Sequence, residues 1–137
     1  MFKYLRIHSI ILTIFFSNIS FASPETSELK LSEKTVEAFY DYISSKRRPL
    51  DKFLVTLDGN GVFVWVCPQT LCFPGGERYY LKPCSKVNGN KKCKIFAMGR
   101  KIKLSQPTEG SKNLILFTQE DTFKETRKKL KKLGFVD

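Results

Sequence analysis

Four cysteines carry the clearest chemistry in this sequence of 137 residues. Cys67, Cys72, Cys84 and Cys93 follow the pattern C-x4-C-x11-C-x8-C. An even number of cysteines in a small exported domain is typical of disulfides. The spacing does not favour zinc, because zinc ribbons have two residues between paired ligands, and a redox C-x-x-C motif is absent. We therefore predict no metal site and two local disulfides, Cys67–Cys72 and Cys84–Cys93.

The N-terminal segment has the pattern of a secretory signal peptide. Lys3 and Arg6 precede an apolar run over residues 10–16, and small residues, Ser20 and Ala22, occupy the two positions that a signal peptidase inspects. The run is shorter than the ~20 residues that span a bilayer. The sequence predicts an exported protein, periplasmic or secreted, from a bacterium. The expected organisation is a signal peptide over residues 1–22, a flexible leader over 23–30 and a single domain over 31–137.

Removal of the signal peptide would take away His8, the one histidine in the chain. Loss of Lys3 and Arg6 would lower the formal net charge from +11 to +9. A mature chain without histidine has no Ser-His-Asp or Cys-His catalysis and no histidine zinc site. Ser85 and Lys86 do not form a catalytic dyad, because adjacent residues on a helix do not face each other. We therefore predict no catalytic residue and no cofactor.

The apolar pattern indicates a disulfide-stabilised α+β domain. Ser32 is a predicted N-cap, and the apolar residues that follow it recur with helical spacing. The turn sequence Asp58-Gly59-Asn60-Gly61 predicts a hairpin over residues 53–67. Further strands of a small antiparallel sheet are expected near residues 93–98, 101–104 and 113–117. An N-terminal helix and a C-terminal helix over 119–133, capped by Thr118 and ended by Gly134, are expected to flank this sheet.

The sequence also makes predictions for residues 92–98 and 77–87. Strict alternation over residues 92–98 places Cys93, Ile95 and Ala97 on one face of a strand, and Phe96 on the other with the lysines. Residues 77–87 fit a short helix, but Pro83 within it opposes a helical interior. Their helical state stays open from the sequence.

Positive charge is concentrated in the C-terminal helix. At 100° per residue, Phe123, Thr126, Leu130 and Leu133 form one narrow stripe that would dock on the sheet. Most of the remaining surface would carry six candidate contacts for an anionic surface: Lys124, Arg127, Lys128, Lys129, Lys131 and Lys132. We expect loose, salt-sensitive attraction to an anionic membrane or polyanion. A docked helix with a solvated basic face is the alternative interpretation.

A second basic cluster, Lys46-Arg47-Arg48, follows the first predicted helix. These side chains would complement the negative end of the helix dipole. A ligand-binding role is the alternative for this triplet.

Part of the chain, residues 53–104, resembles a loose group of small exported bacterial proteins of uncharacterised activity. The residues that carry this resemblance are Phe53-Leu54-Val55, Asp58-Gly59, Cys67, Cys72, Cys84 and Cys93-Lys94-Ile95-Phe96-Ala97-Met98-Gly99-Arg100. The resemblance implies export and the cysteine framework, and it implies no activity.

We expect a cationic binding or accessory domain that contacts an envelope protein or an anionic surface, with no specific nucleic-acid partner. Two alternatives stay open. One is a small hydrolase that uses carboxylates, for which a concave pocket with clustered acids of shifted pKa would be diagnostic. The other is an inhibitor that presents the Cys67–Cys72 loop, which is similar to the Cys-x4-Cys loop of vertebrate-type lysozyme inhibitors. Those loops use a histidine, and Gln69 is the nearest polar residue here.

Overall fold

The computed structural model describes residues 28–67, 76–104 and 115–137. Four strands form one antiparallel sheet in the order β2-β1-β3-β4, which confirms the predicted α+β class. The elements are α1 (Glu33–Ser44), β1 (Lys52–Thr56), β2 (Val62–Trp65), α2 (Leu81–Val87), β3 (Cys93–Met98), β4 (Lys101–Ile102) and α3 (Phe123–Lys132). The predicted signal peptide and the Cys67–Cys72 loop beyond Cys67 lie outside the described residues.

Helix α1 begins as its sequence predicts. The Ser32 hydroxyl accepts a hydrogen bond from the Thr35 N–H at 3.3 Å, which satisfies one of the free donors of the first turn. Phe39 and Ile43 on the inner face are completely buried. The helix ends at Ser44, so the basic triplet follows α1 and does not lie in its last turn.

The β1–β2 hairpin depends on a glycine at its turn. Gly59 has a φ of +71°, and a Cβ atom there would lie 1.7 Å from the Lys30 carbonyl oxygen. Its own carbonyl accepts hydrogen bonds from the Ser32 N–H and the Thr35 hydroxyl. The turn therefore also holds the start of α1, and no other residue fits this close approach.

Two apolar clusters cover the two faces of the sheet. The larger one lies between the sheet, α1, α3 and the chain after α3. At its centre the Phe39 ring lies 5.2–5.3 Å from the rings of Phe53, Phe96 and Phe117, in edge-to-face geometry. The smaller one contains Leu54 and Cys84, under α2. Pro83 is tolerated because it is the third residue of α2, where backbone N–H groups have no helical partner.

The predicted alternation of β3 is wrong beyond Ile95. Ile95 is paired with Leu54 and Ala97 with Phe53, and the pairing shifts between these two pairs. Phe96 is the extra residue of this β-bulge. Phe96 and Ala97 are therefore both buried in the larger cluster, while Ile95 packs in the smaller one.

The last predicted strand and the predicted start of α3 are also wrong. Residues 115–117 form no strand, whereas 113 and 114 lie outside the described residues. Strand β4 contains two residues and not four. Helix α3 begins after Thr122 and not after Thr118, because Thr122 and Glu125 form a capping box that satisfies two backbone N–H groups. Gly134, with a φ of +81°, ends the helix as predicted.

The Asp51 carboxylate is almost completely buried, with 1% of the residue exposed. Its two oxygens accept hydrogen bonds from the backbone N–H groups of Arg48 and Cys67, each at 2.9 Å. Its backbone carbonyl accepts from the Tyr42 hydroxyl at 2.9 Å and from the Gly99 N–H at 2.8 Å. This residue therefore joins the chain after α1, the end of β2 and the turn after β3.

The disulfide Cys84–Cys93 is formed, as predicted, with Cα atoms 6.2 Å apart. It joins α2 to the start of β3 across nine positions of the chain. Cys67 is also disulfide-bonded, whereas its predicted partner Cys72 lies outside the described residues.

Replacing this bridge is expected to destabilise the fold measurably. The loop-closure estimate for a ring of this length is about 2–3 kcal/mol. We expect C84A/C93A to lower the free energy of unfolding by that amount in urea titrations. The exposed pair K82Q/K86Q on the same helix is the control and should change it by less than ~0.5 kcal/mol. A double-cysteine variant as stable as the wild type would contradict the prediction.

We also expect Asp51→Asn to destabilise the protein by about 2–3 kcal/mol. The asparagine amide places an NH2 group where one carboxylate oxygen accepted a hydrogen bond from a backbone N–H. That buried backbone N–H then has no acceptor. Urea unfolding of D51N is compared with that of D41N, which alters an exposed carboxylate and should cost less than ~0.5 kcal/mol. Equal stability of the two variants would refute a structural role for the Asp51 carboxylate.

Candidate anion-binding cleft

A cleft of about 470 Å³ opens where the chain after α1 meets the β3–β4 turn and residues 116–118. Among the described residues, five basic side chains and no acidic one line it. The basic residues are Arg47, Arg48, Arg100, Lys101 and Lys103, and the other lining residues are Pro49, Met98, Gly99, Leu116, Phe117 and Thr118. Its volume is within the range of ~300–1,000 Å³ that is typical of small-molecule sites.

Two of the arginines are fixed by backbone carbonyls at the end of α1. Arg47 Nε donates to the Tyr42 carbonyl at 2.8 Å, and its guanidinium carbon lies 4.7 Å from the Tyr42 ring centroid. Arg100 donates through Nε to the Ile43 carbonyl and through a terminal nitrogen to that of Ser45, at 2.8 and 2.9 Å. These bonds satisfy helix carbonyls that have no backbone partner, and they hold both cations beside the cleft.

The turn that carries Arg100 is itself fixed tightly. Gly99 has a φ of +54°, and a Cβ atom there would lie 3.2 Å from the Pro49 Cα. The Gly99 N–H bonds to the Asp51 carbonyl, and Arg48 donates to the Cys67 carbonyl at 3.1 Å. The basic residues on the two sides of the cleft are thus positioned through the Asp51 network.

Lys101 and Lys103 complete the basic lining from β4 and the residue that follows it. Both side chains are exposed, and neither has an ion pair or hydrogen bond to another described residue. Their ammonium groups are therefore available to a ligand. Their aliphatic stems contribute apolar surface while the charged ends stay in water.

The opposite wall is held in place by a partly buried ion pair. Lys129 Nζ lies 2.5 Å from Asp121 Oδ2 and donates to the Leu116 carbonyl at 2.8 Å. Asp121 also accepts hydrogen bonds from the Thr118 N–H and hydroxyl, each at 3.0 Å. Burial raises the pKa of the Asp121 carboxyl, but the hydrogen bonds from Lys129 and Thr118 outweigh it and hold that pKa below its ordinary value.

The six bases predicted on α3 separate into two groups. Lys129 makes the structural ion pair with Asp121, and Arg127 lies 3.3 Å from Glu33. Thr126 and Leu130 are buried on the inner face, as the sequence predicts. The remaining bases are exposed and have no ion pair with a described residue; they are Lys124, Lys128, Lys131 and Lys132. They lie on α3, and none of them lines the cleft.

A further cation, Lys52, is held between two aromatic rings on the other face of the sheet. Its ammonium lies 4.3 Å from the Trp65 ring centroid and 4.9 Å from that of Tyr80. Burial lowers the pKa of Lys52, and the Asp51 charge opposes this shift. Tyr80 is buried in this packing, with 9% of the residue exposed.

Sequence reasoning found Arg47 and Arg48 and missed Arg100, Lys101 and Lys103. Arg100 precedes the strand predicted near residues 101–104, which contains Lys101 and Lys103, and nothing in the linear sequence indicates that the turn folds against the end of α1. The Gly99-Arg100 pair was the available signal, since a glycine at a tight turn indicates a close backbone approach.

No protein-family model, curated protein or solved structure matches this chain. In the part of the chain that the structure describes, no helix is long and apolar enough to cross a bilayer. The same residues contain no group of three or more histidine, cysteine or acidic side chains placed to hold a metal ion.

The Asp121–Lys129 pair should make stability depend on pH in a defined direction. The pKa of Asp121 is lower in the folded protein than in the unfolded chain, where it is ~3.9. The Asp121 carboxylate therefore stabilises the fold above pH ~3.9, and this stabilisation is lost as the pH falls through the folded-state pKa. We expect D121N to cost about 1–2 kcal/mol at pH 7 and progressively less below pH ~4. Urea unfolding from pH 7 to pH 3 measures this difference.

The exposed carboxylate of Glu37 supplies the control for this series. E37Q should follow the wild type at every pH. If the loss of unfolding free energy caused by D121N stayed constant down to pH 3, the ion pair would not stabilise the fold through its charge.

Proposed function

We propose that this chain is an exported cationic domain that binds an anionic ligand in the cleft between the end of α1 and the β3–β4 turn. The observation that carries this proposal is the lining itself, where the residues that the structure describes contribute five basic side chains and no acidic one. Like charges around one concavity repel each other, and a bound anion removes that repulsion. Concave walls also concentrate the field, which raises the local concentration of an anionic ligand.

The fixed arginines support a specific site. Arg47 and Arg100 are already held by backbone carbonyls, so binding would order few further rotamers. Each guanidinium has five N–H donors, and among the described residues Arg47 uses only Nε. The terminal N–H groups therefore suit bidentate contact with a phosphate or carboxylate.

The exposed lysines of α3 fit a weaker, less specific role. They project from a solvated helix face, where isolated surface charges contribute ~1 kcal/mol or less and are screened by salt. An envelope protein or membrane with negative charge would be attracted by them. We assign the α3 lysines to this loose attraction, and we assign selective binding of an anionic ligand to the cleft.

The described carboxylates whose pKa is clearly shifted do not favour the hydrolase alternative. Asp58, Asp121 and Glu125 all have lowered pKa values, and each is bonded within a turn or a helix cap. A general acid needs a raised pKa. None of the three lines the cleft. The inhibitor alternative depends on a loop that lies mostly outside the described residues.

Export is supported by the N-terminal pattern and by the cysteines. Structural disulfides persist in oxidising compartments such as the bacterial periplasm. Protein purified from a periplasmic extract should therefore contain no free thiol. Four free thiols would refute export into an oxidising compartment.

Inorganic pyrophosphate is a suitable probe of the cleft. We expect it to bind at low salt, to shift the amide NMR signals of Arg100 and Lys101, and to dissociate as salt is added. K101Q/K103Q should weaken binding about tenfold, since it removes two exposed charges worth ~0.7 kcal/mol each.

Two variants of comparable charge locate the contact. K82Q/K86Q on α2 removes the same charge away from the cleft and should bind pyrophosphate within about twofold of the wild type. K124Q/K128Q/K131Q tests whether pyrophosphate binds instead to the exposed lysines of α3. If the α3 variant lost more affinity than K101Q/K103Q, the cleft would not be the binding site.

A further inference from the structure

Part of the cleft lining is apolar, and a purely hydrophilic anion would not use it. Leu116 is 54% exposed although it lies beside Phe117, which is buried. Met98 is half-buried and Pro49 is exposed. All three line the same cleft as the five bases. A single exposed leucine needs no explanation, but here apolar side chains share a concavity with several cations.

The backbone holds Leu116 in this exposed position. Its carbonyl accepts the Lys129 hydrogen bond, and the Phe117 ring is anchored in the core 5.3 Å from the Phe39 ring. The leucine side chain therefore cannot turn inward without breaking one of these contacts. Its exposure is a consequence of fixed flanking contacts, and its apolar surface is available to a ligand.

We propose that the cleft takes a single-chain anionic amphiphile, whose phosphate or carboxylate head contacts the arginines and whose alkyl chain covers Leu116 and Met98. This inference rests on the proposed function and specifies its ligand. The head satisfies guanidinium N–H groups near Arg47 and Arg100, and the chain removes apolar side-chain surface from water.

A monomeric amphiphile fits the geometry better than a membrane surface. Membrane-inserting side chains protrude from a convex surface, whereas Leu116 and Met98 line a concave one. The volume of about 470 Å³ suits a small molecule. The α3 lysines, on a solvated helix face, are the better candidates for contact with a bilayer.

Butyl, hexyl and octyl phosphate, each below its micelle concentration, test this proposal together with inorganic pyrophosphate. Isothermal titration should show affinity rising with chain length, by up to about fourfold for each methylene that becomes buried. K101Q/K103Q should weaken all the alkyl phosphates by a similar factor, because it removes two positive charges that attract every phosphate head.

L116S should remove most of the dependence on chain length, and its urea-unfolding midpoint, measured beside that of the wild type, shows that the variant is folded. L57S alters a leucine of similar exposure, 43%, in the β1–β2 turn, outside the cleft, and should keep the wild-type dependence.

The outcomes separate the two proposals. If pyrophosphate binding depends on the cleft lysines but alkyl phosphates of every length bind equally, the amphiphile proposal is overturned and the anion site remains. An unchanged chain-length dependence in L116S would overturn the amphiphile by placing the chain elsewhere. Binding to anionic vesicles without binding to the monomeric probes would overturn it in favour of a membrane surface. Absence of binding by pyrophosphate and by every alkyl phosphate would overturn both proposals.

Discussion

The buried Asp51 carboxylate accepts hydrogen bonds from the N–H groups of Arg48 and Cys67, and its carbonyl accepts from Tyr42 and Gly99. A charged group away from water is tolerated only when it is well bonded, so these donors must stay where they are. The end of α1, the end of β2 and the turn after β3 are consequently fixed relative to one another. Two of these segments, the chain after α1 and the turn after β3, line the cleft together with residues 116–118.

The same cations serve the fold and face the cleft. Arg47 and Arg100 bond to carbonyls at the end of α1, where helix carbonyls need partners and the dipole favours positive charge. Backbone hydrogen bonds therefore offset part of the repulsion that five clustered cations create. The site is thus built into the packing of α1 against the sheet, which explains how a small domain can hold several arginines in fixed positions.

Much of the fold was predictable because its signals are local. Ser32 caps α1, Gly59 makes the hairpin turn, and Gly134 ends α3. The start of α3 was wrong although its signal is equally local, since Thr122 and Glu125 have the capping-box spacing. Two of the five basic lining residues, Arg47 and Arg48, were predictable only as members of a basic triplet, because the residues that share the cleft with them come from a distant turn.

The sequence by itself determined the α+β class, the order of the main elements, the Cys84–Cys93 bridge and the buried stripe of α3, since each depends on periodicity, turn residues or short spacing. Only the tertiary structure decided which face Ala97 takes and which bases share a cleft. The bulge at Phe96 depends on pairing with β1, and pairing is a non-local choice. Arg47 and Arg100 are far apart in the chain, and they meet because both bond to the end of the same helix.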